Sequence, residues 1–236
     1  MRLKKIIKQL EGKFPLELAE EWDNVGLLLD STRREIKSIM LCLDITRDVV
    51  DKAVANKVDL IISHHPFIFS PLKKITTDEV NGEKILKLAR NNIAVYSMHT
   101  NIDSGIGGLN DFIIKKIGQE GKVFAISNNR SIELRKLVTS DLIDAKDKII
   151  NPLRIQKLKS AITIEELCKI IKEKLCIPNV RVVGDTAKLV KSYAICTGSG
   201  MSFSGNVKKK ADVFITGDLK YHESLDASEL NQTIID

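Results

Sequence analysis

The sequence predicts an α/β protein, with a mostly parallel sheet flanked by helices and a second, smaller α+β domain inserted. Three observations lead there. In the first half, short apolar runs alternate with amphipathic stretches, the pattern of parallel strands joined by crossover helices. From about residue 122 that rhythm stops, and residues 123–160 are charged and only weakly periodic. Near residue 206 the first pattern resumes. The expected division is therefore 1–122 plus 206–236 for the main domain and 123–205 for the inserted one.

The elements follow in order. The opening "MRLKKIIKQLEGKFP" carries charge but no apolar h-region. It reads as an amphipathic helix through Leu3, Ile6, Ile7 and Leu10 rather than as a signal peptide. "EEWDNVGLLLD" (20–30) holds the single tryptophan and reads as a tight turn entering a strand. "IKSIMLCL" (36–43) reads as a buried strand. "TRDVVDKAVANK" (46–57) puts Val49, Val50, Ala53 and Val54 on one helical face, with Thr46 placed as N-cap. "VDLIIS" (58–63) is the next strand, "GEKILKLARNN" (82–92) a helix, and "IAVYSM" (93–98) a third strand. "LNDFIIKKIG" (109–118) is a helix ended by Gly118. In the insertion, "LRKLVTS" (134–140) is a strand-like piece. "TIEELCKIIKEKL" (163–175) is a helix opened by a Thr163/Glu166 capping box. "VRVVGD" (180–185) and "VKSYAIC" (190–196) look like a pair of strands. "DVFITGDL" (212–219) returns to a strand of the first type, "YHESLDASEL" (221–230) is a helix, and "TIID" (233–236) begins a last strand.

Composition bounds the function. Of 236 residues, 43% are hydrophobic and 29% charged, the balance of an ordinary globular protein. No apolar run approaches the ~18 residues of a membrane span, so no membrane partner is expected. The four cysteines, Cys42, Cys168, Cys176 and Cys196, show neither a CxxC pair nor zinc spacing. A reducing, cytoplasmic location without structural disulfides is the expectation. The net charge of +6 suits anionic ligands as well as a lysine-rich solvated surface. The one dense basic run, "VKKKAD" (207–212), has no interleaved aromatics to stack bases, so nucleic acid is not the expected partner.

The chemistry gathers at strand ends. In open α/β sheets, ligands bind beyond the carboxyl ends of the strands. His64 and His65 follow directly after a strand, and so does His99, with Asp103 in the same loop. His222 comes within a turn of the strand ending in "TGD" (216–218). All four histidines of the chain thus fall at one kind of position. Neutral imidazole and carboxylate are natural ligands of zinc, manganese and iron. Adjacent imidazoles in a loop can diverge to serve two ions, and paired ions ~3.5–4 Å apart activate water and polarise a substrate oxygen. "CTGSGMSF" (196–203) is either a plain turn or a backbone cradle for an anion.

Together, "EWDNVGLLL" (21–29), "IISHHPFIFSPLKKI" (61–75), "VYSMHTNIDS" (95–104), "GSGMS" (198–202) and "ADVFITGDLKYHESLDA" (211–227) resemble the GTP cyclohydrolase I type 2 family. It is also called the dinuclear metal-centre hexameric or NGG-interacting-factor-three family. The resemblance implies a two-domain α/β chain, a homohexameric toroid, and two divalent metal ions per subunit, whether zinc, iron or manganese. It implies His64, His65 and Asp103 as metal ligands, with His99 and His222 beside the ions, either bracing the ligands or transferring protons. The family's Gly-His-Tyr-x-x-Glu segment, which closes its metal site, would follow "TIID" and lies outside these residues. A chain cut short of it is the preferred reading, with ligation by His222 and Glu223 or impaired metal binding as the alternatives. Two functions remain in view: a metal-dependent hydrolase acting on a nucleotide or related heterocycle, and a non-catalytic metal-binding regulator or carrier.

Overall fold

The computed structural model describes residues 1–33, 35–127, 130–134 and 151–236. They form two compact units, Met1–Ile102 and Asp103–Asp236, each a mixed sheet flanked by helices. The class is α/β.

The first unit holds helix α1 (Leu3–Lys13), strands β1 (Gly26–Leu29) and β2 (Ile39–Cys42), helix α2 (Arg47–Ala55), strand β3 (Leu60–Ser63), helix α3 (Val80–Arg90) and strand β4 (Ala94–Ser97). The sheet order is β1-β4-β3-β2. Strands β2, β3 and β4 are parallel, and β1 is antiparallel at one edge. Successive side chains of a strand face opposite sides, and here both sides are covered. Leu60, Ala94 and Tyr96 pack under α1 with Leu3 and Ile6. Ile61 and Val95 pack under α2 and α3 with Val50, Ala53, Ile85 and Leu88. Burial on both faces is why β3 and β4 read as unbroken apolar runs. Thr46 caps α2 by accepting the Val49 N–H at 3.2 Å.

The edge position of β2 corrects one expectation. Met40 and Cys42 pack toward α2 and α3, but Ile39 and Leu41 stay uncovered, Leu41 at 74% exposure. An apolar run at a sheet edge need not be buried on both faces, because its neighbours cover it on one side only.

The second unit begins with helices α4 (Thr100–Ser104, straddling the boundary) and α5 (Leu109–Ile117), the latter ended by Gly118 at φ 69°. This left-handed position suits glycine. Strands β5 (Gly121–Ser127), β6 (Arg130–Glu133) and β7 (Arg154–Thr163), helix α6 (Ile164–Leu175), and strands β8 (Val182–Val183) and β9 (Leu189–Ile195) follow. Helix α7 (Ser204–Val207), strand β10 (Val213–Ile215), helix α8 (Tyr221–Glu229) and strand β11 (Thr233–Ile235) complete it. The order is β6-β5-β7-β9-β10-β11-β8. Tyr193, Ile195, Val213 and Ile215 face α5 and α6, while Ala194, Phe214 and Ile234 face the side of α7 and α8. The Thr163/Glu166 capping box is formed in both directions, at 3.1 and 2.7 Å.

Three differences from the sequence reading stand out. The expected return of residues 206–236 to the first sheet is not what the pairing shows: β10 lies between β9 and β11 in the second sheet, parallel to both. Apolar periodicity marks a buried parallel strand but does not say which sheet receives it. The strands in "VRVVGD" and "VKSYAIC" are not neighbours, since β8 pairs with β11. The ten-residue β7 arises from a stretch whose charge hid its alternation, and it pairs with β5 and β9. Of "LRKLVTS" (134–140), all but Leu134 lies outside the described residues.

Candidate metal centre

The parallel register of β3 and β4, Ser63 opposite Ser97, delivers two chain exits side by side. His64 and His65 leave from one, Met98 and His99 from the other. The Ser63 hydroxyl donates to the His65 carbonyl at 2.9 Å and so receives from the Ser97 hydroxyl at 2.8 Å. The Met98 N–H donates to the Ser63 carbonyl at 2.9 Å, and the His65 N–H to the Leu43 carbonyl at 3.0 Å. These bonds fix both exits before any imidazole is considered.

Three imidazoles meet there. Ring centroids are 5.2 Å apart for His64–His65 and for His64–His99, and 5.6 Å for His65–His99. One ring nitrogen of each lies within 4.8 Å of the others. Each ring is oriented through Nδ1. His64 Nδ1 is 2.9 Å from the Met98 carbonyl, His65 Nδ1 is 2.7 Å from Asp44 Oδ1, and His99 Nδ1 is 2.9 Å from Asp23 Oδ1. A carbonyl or carboxylate oxygen only accepts, so each Nδ1 carries the proton and the neutral ring has its lone pair on Nε2. This is the outer arrangement that metal-binding histidines use to set tautomer and direction.

The electrostatics agree. Burial, with the charges of His99 and His65 added, pushes His64 down to about 4, so it is neutral at physiological pH. Asp23 has a fully buried side chain. Burial opposes its ionisation, but hydrogen bonds from His99 and Thr100 outweigh it and hold the carboxyl below its usual range. Its Oδ2 accepts the Thr100 N–H at 3.0 Å and also the Thr100 hydroxyl. Three imidazoles, close together and each held by an oxygen through Nδ1, could hold a metal ion.

The structure brings together His64, His65 and His99 in the first unit. Asp103 and His222 belong to the second. Asp103 is buried on α4, and its carbonyl accepts from Asn110 Nδ2 at 3.2 Å. His222 is exposed on α8, edge-on to Tyr221. Asp44 and Asp23 were not read as site residues. Asp44 follows β2, and Asp23 precedes antiparallel β1, so both lie at the end of the sheet where the histidines emerge; strand-end position is the signal. The glycine turn at 196–203 is closed on itself. The Gly200 N–H donates to the Gly198 carbonyl and Thr216 Oγ1, both at 2.9 Å, and the Gly217 N–H donates to the Gly198 carbonyl at 2.8 Å. Those amides are not directed at an anion.

Comparison with known proteins completes the picture. The family model described as Duf34/NIF3 (NGG1p interacting factor 3) matches residues 1–236. A Clostridium acetobutylicum protein named GTP cyclohydrolase 1 type 2 homolog is 35% identical, over 100% of this chain and 83% of its own. Its namesake in Clostridium perfringens is 37% identical, over 100% and 84%. The crystal structure of Staphylococcus aureus hypothetical protein SA1388 superposes with a TM-score of 0.81 at 31% identity, covering 100% of this chain and 85% of that one. Fold, whole-length similarity and the motifs that bear the histidines agree, and the chain belongs to the Duf34/NIF3 family.

Proposed function

We propose that the chain is a metal-dependent hydrolase with a dinuclear-type site, acting on a nucleotide or a related heterocycle. The observation that carries this is the His64–His65–His99 group, whose Nδ1 atoms are all tied to oxygens. His64 and His65 would hold the metal. The nearness of His99 to both supports its sharing that role in place of its expected part in proton transfer. Asp103 as a further ligand and His222 as a proton carrier are carried over from the resemblance in the sequence. A bound divalent ion supplies Lewis acidity toward a substrate oxygen and a water nucleophile near neutral pH. The chain's own contribution is orientation: Asp44 and Asp23 keep His65 and His99 in the tautomer that carries its proton on Nδ1. The names of the Clostridium relatives support nucleotide chemistry.

Elemental analysis of the purified chain beside a His65→Ala variant tests this. About two ions per chain, lost in the variant, together with metal-dependent nucleotide turnover, is the expected result. Asp23→Asn should weaken metal affinity by about 10–100-fold without removing a ligand. Metal uptake with no turnover on any nucleotide would favour the carrier reading, and no uptake would end both.

A further inference from the structure

Beside His65 the first unit opens into a cleft of about 740 Å³ that the metal group does not fill. Its walls differ in chemistry. On one wall sit two cations, Arg47 and Lys84. The Lys84 ammonium is half-buried, donates to the Ile45 carbonyl at 2.8 Å, lies 5.5 Å from the Phe67 ring centre, and is in no ion pair among the described residues. Burial, with Arg47 nearby, holds it below the usual lysine range. Arg47 binds Glu83 through Nε and Nη2 at 3.0 and 2.8 Å, which leaves its Nη1 edge.

On the histidine side the cleft is aromatic. Phe69 lines it and is 53% exposed. Its ring centre is 5.9 Å from that of Trp22, which is 60% exposed and lies 6.0 Å from His99. Two large exposed rings next to a polar site form a surface for a planar ligand. Lys84 and Arg47 are close enough to repel each other, and an anion between them relieves that repulsion. Asp44 and Glu83 limit the positive charge, so the wall suits one phosphate and not a chain of three.

We infer that this cleft binds a phosphomonoester of a planar heterocycle, with the ring against Trp22 and Phe69 and the phosphate at Lys84 and Arg47. The inference rests on the proposed function in that it names the substrate class of the same site.

Trp22 is the chain's one tryptophan, so its fluorescence reports on the Trp22–Phe69 surface without a label. The test titrates the EDTA-treated 236-residue chain with GMP, guanosine, ribose 5-phosphate and GTP. GMP should quench saturably, about ten-fold more tightly than guanosine or ribose 5-phosphate, and more tightly than GTP. Lys84→Met should cost GMP about ten-fold and leave guanosine unchanged. Phe69→Leu should weaken GMP and guanosine together, and Phe69→Tyr should restore both. Because the protein is metal-free, the outcomes separate. GMP binding by a chain that takes up no zinc upholds the cleft and removes the metal reading. Zinc uptake without GMP quenching overturns the cleft alone. Tighter GTP than GMP, or indifference to Lys84→Met, also overturns it. So does Trp22 emission that follows protein concentration and not nucleotide, which would make the aromatic face a contact between copies.

Discussion

Asp59 and Asp23 are buried carboxylates at opposite ends of the first sheet. Asp23 orients a site histidine. Asp59, just before β3, ties down the turn into β2: its Oδ2 accepts the Lys37 and Ser38 N–H groups at 2.7 and 3.0 Å, and Arg33 pairs with Oδ1 at 2.8 Å. Burial opposes its ionisation, but these bonds, the backbone ones foremost, hold its carboxyl below the usual value. A folded-state value below the unfolded one contributes stability that is present above the unfolded carboxylate range and lost as pH falls through the folded value. Asp59→Asn should therefore cost about 1–3 kcal/mol at neutral pH. In urea unfolding at neutral pH and again near pH ~3, the gap from the parent chain should close at the acid end. A gap that stays constant would mean that shape, and not charge, matters at this position.

Among the elements, those that form as the sequence implies have local causes. Thr46 caps α2, Gly118 ends α5, and the Thr163/Glu166 box opens α6, each with its bonds in place. Caps act within one turn of chain, so the residues that decide them are adjacent and readable. Removing the Thr163 hydroxyl leaves the Glu166 N–H without that acceptor, and Thr163→Ala should cost about 1 kcal/mol. The expected signature is a lower urea midpoint at an unchanged slope. Strand β7 is the counter-example. Arg154, Gln156 and the lysines that follow obscure it in sequence, yet Arg154 is fully buried. It is satisfied there by Asp111 and by the carbonyls of Asn151 and Ser104 at 2.8 Å. An arginine that finds all its acceptors can occupy a core position, but two of those acceptors, Asp111 and Ser104, come from distant parts of the chain.

For the molecule as a whole, the uncovered face of β2 bears on assembly. Ile39, Leu41 and Leu43 place a row of exposed apolar side chains along a sheet edge. Such edges are normally paired or covered. This supports the homohexamer proposed from the resemblance. Light scattering on the purified chain should give the mass of an oligomer, reduced by Leu41→Lys. A monomer at micromolar concentration would end that proposal. No helix among the described residues is long and apolar enough to cross a membrane.

The sequence by itself determined the class, the strands β3 and β4, their flanking helices, and the placing of His64, His65 and His99 at strand ends. All of these follow from periodicity and from side chains within a few positions of one another. Tertiary structure alone decided which sheet received β10 and β11, which face of β2 stayed bare, and that Asp44 and Asp23 would hold two of the rings. Each of those depends on which strands lie side by side. A strand's own residues state that it will pair, while its partner is settled by competition among all available edges as the chain collapses.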